Sequence, residues 1–173
     1  MIQMIICGRG GQGIVFLTRL LGDIATEKGL EVISSETHGM AVRGGSINSH
    51  LKIGPFFSPL IGWGHADYLI SLDSSETANN KHFLKPGGVI FENSPDYCES
   101  FVYRVDAARI ARSLGRIQLE NVVLLGFAAS LANLEISLEE IRKRIDSEVR
   151  QAVREKNLAA LESGLKAAAT LKD

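Results

Sequence analysis

Only two cysteines occur in the 173 residues, Cys7 and Cys98, 91 positions apart and with no C-x-x-C anywhere. A zinc ribbon or an iron–sulfur cluster needs several thiolate or imidazole ligands at close spacing, so this chain alone builds neither. Both thiols are expected to be reduced and structural. The four histidines, at 38, 50, 65 and 82, form no H-E-x-x-H or similar pairing, and no metal site is expected. Long apolar runs are missing as well. None approaches the roughly 20 residues that span a bilayer. The N-terminus lacks the charged n-region and small-residue cleavage site of a signal peptide. A cytoplasmic protein with no membrane partner is the expectation. Charge of one sign is also scarce: 19 basic against 20 acidic residues give a formal net charge of −1. No Lys/Arg cluster is dense enough to follow a phosphodiester backbone, so nucleic acid is not an expected partner. There is no internal repeat, low-complexity segment or linker, and a length of 173 residues with 45% hydrophobic content suits a single domain over 1–173.

Glycine, by contrast, is concentrated where it carries information. Residues 7–13 read C-G-R-G-G-Q-G, directly after the apolar run Met1-Ile2-Gln3-Met4-Ile5-Ile6. Gly8, Gly10 and Gly13 fit G-x-G-x-x-G, and residues 14–25 then show apolar residues at helical spacing, so the glycines fall where a strand turns into a helix. Bare backbone N–H groups and the positive end of a helix dipole can face an anion there. Two readings stay open for Gly8, Gly10, Gly11, Gln12 and Gly13: an anion cradle, or a tight turn packed against a neighbouring chain.

Strand 2–7, helix 14–28 stopped by Gly29, and strand 31–35 make a βαβ unit, which favours a parallel sheet. Instead of another crossover helix there follows Thr37-His38-Gly39-Met40-Ala41-Val42-Arg43-Gly44-Gly45, then residues 46–53 with period-two alternation. Ile47, Leu51 and Ile53 are expected inward, and Asn48, His50 and Lys52 outward. Asp73-Ser74-Ser75 can cap a helix through Phe83 that Lys85-Pro86-Gly87-Gly88 stops, Asp106 can cap a helix to Leu114, and short strands are expected at 89–91 and 101–105. Residues 121–134, apolar with small residues at 126, 128, 129 and 132, suit a buried helix. Ser137-Leu138-Glu139-Glu140 reads as a capping box with Ile136 and Ile141 as its hydrophobic staple, and apolar stripes continue to Leu165.

The second glycine cluster sets the permanent cation of Arg43 beside the accessible amides of Gly44 and Gly45, a pairing suited to carboxylate or phosphate. His38 is a weak candidate for acid or base catalysis, since no nucleophile or carboxylate partner is identifiable by spacing. Glu36, 23 positions after Gly13, matches the acidic residue that a dinucleotide site places on ribose. Trp63, between Gly62 and Gly64, is a candidate contact aromatic.

Taken in order, G-R-G-G-Q-G, H-G-M-A-V-R-G-G at 38–45, N-V-V-L-L-G-F-A-A at 121–129 and E-K-N-L-A-A-L-E-S-G at 155–164 resemble the gamma subunit, or gamma domain, of the 2-oxoacid:ferredoxin oxidoreductases. The form H-G-M-A-x-R-G-G is most similar to the small beta subunit of indolepyruvate ferredoxin oxidoreductase. Val42 stands where that branch usually has Gln, and the pyruvate and 2-oxoglutarate branches stay open. The resemblance implies a three-layer, Rossmann-like α/β domain of the gamma type, with a mainly parallel sheet, an antiparallel addition after the second strand and a helical C-terminus. It also implies a complex that oxidatively decarboxylates a 2-oxoacid to an acyl-coenzyme A, with ferredoxin as electron acceptor. This chain has no Gly-Asp-Gly followed by a distant Asn of the kind that holds magnesium and thiamine diphosphate, and no cluster cysteines. Thiamine diphosphate, magnesium and iron–sulfur clusters are therefore expected on a large partner subunit, with coenzyme A at the interface near Gly8–Gly13 and His38–Gly45. Ferredoxin is met indirectly, and the isolated chain can pair with itself. The alternatives are a stand-alone Rossmann-like nucleotide-binding enzyme and a purely structural assembly subunit.

Overall fold

The apolar run at the N-terminus forms β1 (Ile2–Arg9), whose alternate side chains enter two different cores. Met4 and Ile6 face one side and Ile5 and Cys7 the other, so both faces of the sheet must be covered. In the computed structural model, residues 1–39, 44–96 and 101–171 are described. The chain continues through α1 (Ile14–Glu27), β2 (Val32–His38), β3 (Ser46–Ile53), β4 (Ala66–Ser71), α2 (Ser74–Asn80) and β5 (Leu84–Asn93). It ends with β6 (Val102–Val105), α3 (Ala107–Ser113), α4 (Glu120–Leu131), α5 (Leu138–Glu148) and α6 (Gln151–Ala169).

The six strands lie in the order β2-β3-β1-β4-β5-β6. Only β3 runs against the rest: it pairs antiparallel with both β1 and β2, while β1, β4, β5 and β6 are parallel. The expected sheet, mainly parallel with an antiparallel addition, is thus observed. The addition is an insertion, because β3 occupies the place beside β1 that a simple βαβ unit gives to β2.

Helices α1 and α4 cover the face formed by Met4, Ile6, Leu51, Ile53 and Phe91. The opposite face is covered by α2, whose Glu76 accepts from Ser46 Oγ at 2.7 Å, and by the irregular segment 54–65, whose Ile61 N–H donates to His50 Nδ1 at 3.0 Å. This second layer corrects the outward placement of His50 and Lys52: they are 4% and 6% exposed. Burial, and then Lys52, push the His50 pKa down, and burial alone pushes Lys52 down. Cys7 is a free, buried thiol that burial pushes up to about 12, consistent with a structural role, and Cys98 lies outside the described residues.

Asp73 caps α2 by accepting from Ser75 N–H at 2.9 Å, and a 3-10 turn, Lys81–Phe83, extends that helix as expected. Asp106 caps α3 through Arg109 N–H at 2.8 Å. Lys85–Gly88 do not merely end a helix. They belong to β5, where pairing with β4 shifts between Ala66 and Tyr68, and Gly87 takes φ +77° in the irregularity.

The capping box of α5 is complete. Ser137 N–H and Oγ–H donate to Glu140 Oε2 at 2.7 and 2.8 Å, and Glu140 N–H donates to Ser137 Oγ at 3.2 Å. The Ser137 N–H, then its hydroxyl and Lys28, hold the Glu140 carboxyl at about 2. A depressed carboxylate pKa adds stability above the unfolded-state value, and that stability is lost as pH falls through the folded value. Glu140→Gln is therefore expected to cost about 1 kcal/mol at pH 7. In melts at a series of pH values, the gap to wild type should close as pH drops from 4.5 towards about 2.

Candidate functional site at the carboxyl edge of the sheet

Between β1 and β4 the connections depart in opposite directions, β1 towards β2 through α1 and β4 towards β5 through α2. In an open α/β sheet such a switch point leaves a crevice at the carboxyl ends of the strands, where ligands bind. The glycine loop, residues 10–13, lies at that point. Because β1 runs antiparallel to β3 with Arg9 opposite Ser46, the loop leaving β1 meets the segment entering β3. Gly10 N–H donates to Gly45 O at 2.8 Å. A Cβ on Gly10 would stand 3.3 Å from Gly44 N, so the two backbones lie in close contact and a side chain there would have to push the second segment back by a few tenths of an ångström. The two glycine clusters, far apart in sequence, form one surface. Arg43 lies outside the described residues.

Gly13 is the N-cap of α1, with φ +83° and no side-chain cap, and the first turn of α1 holds no acidic residue. The leading N–H groups of a fourteen-residue helix thus lack a side-chain acceptor, which suits an incoming anion. A Cβ on Gly13 would overlap the Asn121 side-chain amide and lie 3.2 Å from its Cγ. Gly11, at φ +98°, has nothing within 4 Å of its Cβ position and forms the open crest of the loop.

Gln12 fixes the loop from below. Its Oε1 accepts from Arg9 N–H at 2.7 Å, and its Nε2 donates to Leu72 O at 3.0 Å and to Glu120 Oε1 at 3.1 Å. Asn93, at the end of β5, donates to the same Leu72 O and to Glu120 Oε2, both at 3.2 Å, while its Oδ1 accepts from Ala108 N–H at 3.1 Å. Burial pushes the Glu120 pKa up, and donation from Gln12 and Asn93 only partly offsets this. Arg9 turns away from the crest to Asp73 at 2.8 Å and Ser75 Oγ at 3.0 Å. Burial pushes the Asp73 carboxyl up, but the Ser75 hydroxyl and N–H and Arg9 outweigh it and hold it below its usual range.

Gly8, Gly10, Gly11, Gln12, Gly13, Gly44 and Gly45 are thus gathered at one sheet edge, and Gly8 itself is buried beneath the loop. Sequence reading missed Glu120, Asn93 and Asn121 as members of the site. The available signal was the polar pair Glu120-Asn121 at the head of a helix that is apolar on every side from Val122 to Ala129. Glu36 is not brought to the loop: β3 lies between β2 and β1, which puts β2 about 10 Å from β1 instead of one strand spacing. His38 is exposed at the end of β2, with Nε2 3.5 Å from Glu36 Oε2. No group of three or more His, Cys, Asp or Glu side chains suited to a metal occurs among the described residues. Trp63 is 76% exposed, with Phe57 and Leu60 also exposed, on the segment at the opposite edge of the sheet from the glycine loop. No helix among the described residues is long and apolar enough to cross a membrane.

A model of the pyruvate ferredoxin/flavodoxin oxidoreductase family matches residues 3–167. The indolepyruvate oxidoreductase subunit IorB of Archaeoglobus fulgidus is 28% identical over 187 aligned residues, covering 94% of this chain and 93% of that protein. The gamma subunit of the NADH-dependent phenylglyoxylate dehydrogenase of Aromatoleum evansii is 29% identical, covering 91% of this chain and 88% of that one. The crystal structure of the gamma subunit of a keto/oxoacid ferredoxin oxidoreductase from Geobacter sulfurreducens has the same fold, with a TM-score of 0.81 at 25% identity over 98% of this chain and 99% of that one. With a family match across nearly its whole length and the fold to go with it, this chain belongs to the pyruvate ferredoxin/flavodoxin oxidoreductase family and is of the subunit type found in 2-oxoacid:ferredoxin oxidoreductases.

Proposed function

We propose that the chain is the non-cofactor subunit of a thiamine-diphosphate-dependent 2-oxoacid:ferredoxin oxidoreductase of the indolepyruvate or another aryl-pyruvate type, working in the cytoplasm as one gamma-type domain over 1–173. The complex converts a 2-oxoacid and coenzyme A to an acyl-coenzyme A, releasing carbon dioxide and passing electrons to ferredoxin. Thiamine diphosphate, magnesium and iron–sulfur clusters on the large partner subunit supply the decarboxylation and electron-transfer chemistry. The observation that carries this chain's share is the joined surface of Gly10–Gly13 and Gly44–Gly45, with the uncapped start of α1 behind it. Such a surface offers amide donors to the phosphates of coenzyme A or to the substrate carboxylate at the partner's edge.

Arg43 supplies the cation in this reading. In the assembled complex, Arg43→Ala is expected to raise KM for coenzyme A about tenfold, the equivalent of one lost charge-assisted contact. KM for the 2-oxoacid should stay within about twofold. An assembly-only role is favoured by a different observation, the exposed Phe57, Leu60 and Trp63 at the far edge of the sheet. Unchanged Michaelis constants in an intact complex would select that reading.

A further inference from the structure

The carboxylate of Glu120 links the glycine loop to the end of β5, and among the described residues no backbone hydrogen bond joins these two segments. One oxygen accepts from Gln12 and the other from Asn93, at 3.1 and 3.2 Å, and both amides also donate to Leu72 O. On one branch the Gln12 side chain sets the glycine loop through Arg9 N–H, and on the other Asn93 sets the start of α3 through Ala108 N–H. Glu120 itself is 6% exposed and opens α4, a helix that is apolar from Val122 to Ala129. A carboxylate at such a place loses its hydration, and a residue chosen for packing alone would be apolar. The neighbouring Asn121 reinforces the geometry by lying against Gly13.

We propose that Glu120 is a positioning residue that couples the glycine loop to the β5 terminus and the α3 start, so that the carboxyl edge of the sheet presents one preformed surface to its ligand. The inference rests on the reading of the glycine loop as a coenzyme A contact only for its catalytic consequence. The coupling itself is a property of this chain.

Glu120→Gln retains the shape but replaces one acceptor by an NH2 group, which faces an amide donor and can satisfy only one branch. Hydrogen exchange on the full chain reads the result through four amides: Arg9, Gly10, Gln12 and Ala108 are hydrogen-bonded to Gln12 Oε1, Gly45 O, Arg9 O and Asn93 Oδ1. Their exchange is expected to quicken about tenfold or more, with α6 unchanged, because local opening costs less than global unfolding. Unchanged protection at all four, or acceleration spread evenly through α4 and α6, overturns the proposal. Should Glu120→Gln fail to fold, Gln12→Met tests the same coupling from the loop side: Ala108 N–H must exchange faster although its own acceptor is intact, and unaltered exchange there overturns it. In the assembled complex, KM for coenzyme A is expected to rise about tenfold with kcat within about twofold. Loosened amides with an unmoved KM would leave the coupling standing and remove the coenzyme A reading.

Discussion

Gly164→Ala is expected to cost about 3 kcal/mol of stability, although alanine is the better helix former by about 1 kcal/mol. The reason is the crossing of α6 over α4. A Cβ on Gly164 would overlap Val123 O and lie 2.7 Å from Phe127 N, both backbone atoms in the middle of α4. Gly126 makes the reciprocal contact, where a Cβ would overlap Leu161 O and lie 3.1 Å from Leu161 C. Backbone cannot rotate aside as a side chain does, so the helices must separate, and the packing of Val123, Phe127 and Leu161 goes with them. Thermal unfolding should show a midpoint lowered by about 10 °C for a chain of this size. Lys166→Ala, exposed on the same helix, should stay within about 0.5 kcal/mol of wild type. A loss below about 1 kcal/mol for Gly164→Ala would contradict the close crossing.

Gly13→Ala should be the most damaging single change in the glycine loop, because it combines two faults. An alanine at φ +83° bears a left-handed strain of about 1–2 kcal/mol. Its methyl group would also enter the space of the Asn121 amide, which itself is buried. Gly11→Ala provides the comparison, since at φ +98° it carries the strain with nothing within 4 Å. Calorimetry should place Gly13→Ala about 2 kcal/mol or more below wild type and Gly11→Ala about 1 kcal/mol below. In the assembled complex, Gly13→Ala should also raise KM for coenzyme A by at least about tenfold, as the start of α1 shifts.

The features that could be read from the sequence are those decided within one turn or one strand. Asp73, Asp106 and Ser137 cap helices through their own neighbours, and the alternation of residues 46–53 sends Leu51 and Ile53 into the main core whatever lies across the sheet. What could not be read depends on a partner elsewhere in the chain. His50 and Lys52 alternate like solvent-facing residues, and only the return of segment 54–65 over that face buries them. The insertion of β3 between β2 and β1 moves Glu36 away from the loop, a displacement invisible to a spacing of 23 residues. Gly126 and Gly164 look like small residues on two separate helices until one helix is laid on the other. Within the site, the glycines announce themselves because backbone geometry demands them. Glu120 does not, since its two partners arrive from the loop after β1 and from the end of β5.

The central claim, that this chain completes an oxidoreductase whose redox cofactors sit on another subunit, is tested most directly by reconstitution. The chain and the thiamine-binding large subunit proposed as its companion are expressed separately and together, and coenzyme-A-dependent reduction of ferredoxin by indolepyruvate, phenylglyoxylate, pyruvate and 2-oxoglutarate is measured. The account predicts a stable complex, turnover only when both chains are present, and highest kcat/KM with an aryl 2-oxoacid. Full turnover by the large subunit alone, or failure of the two chains to associate, would contradict it.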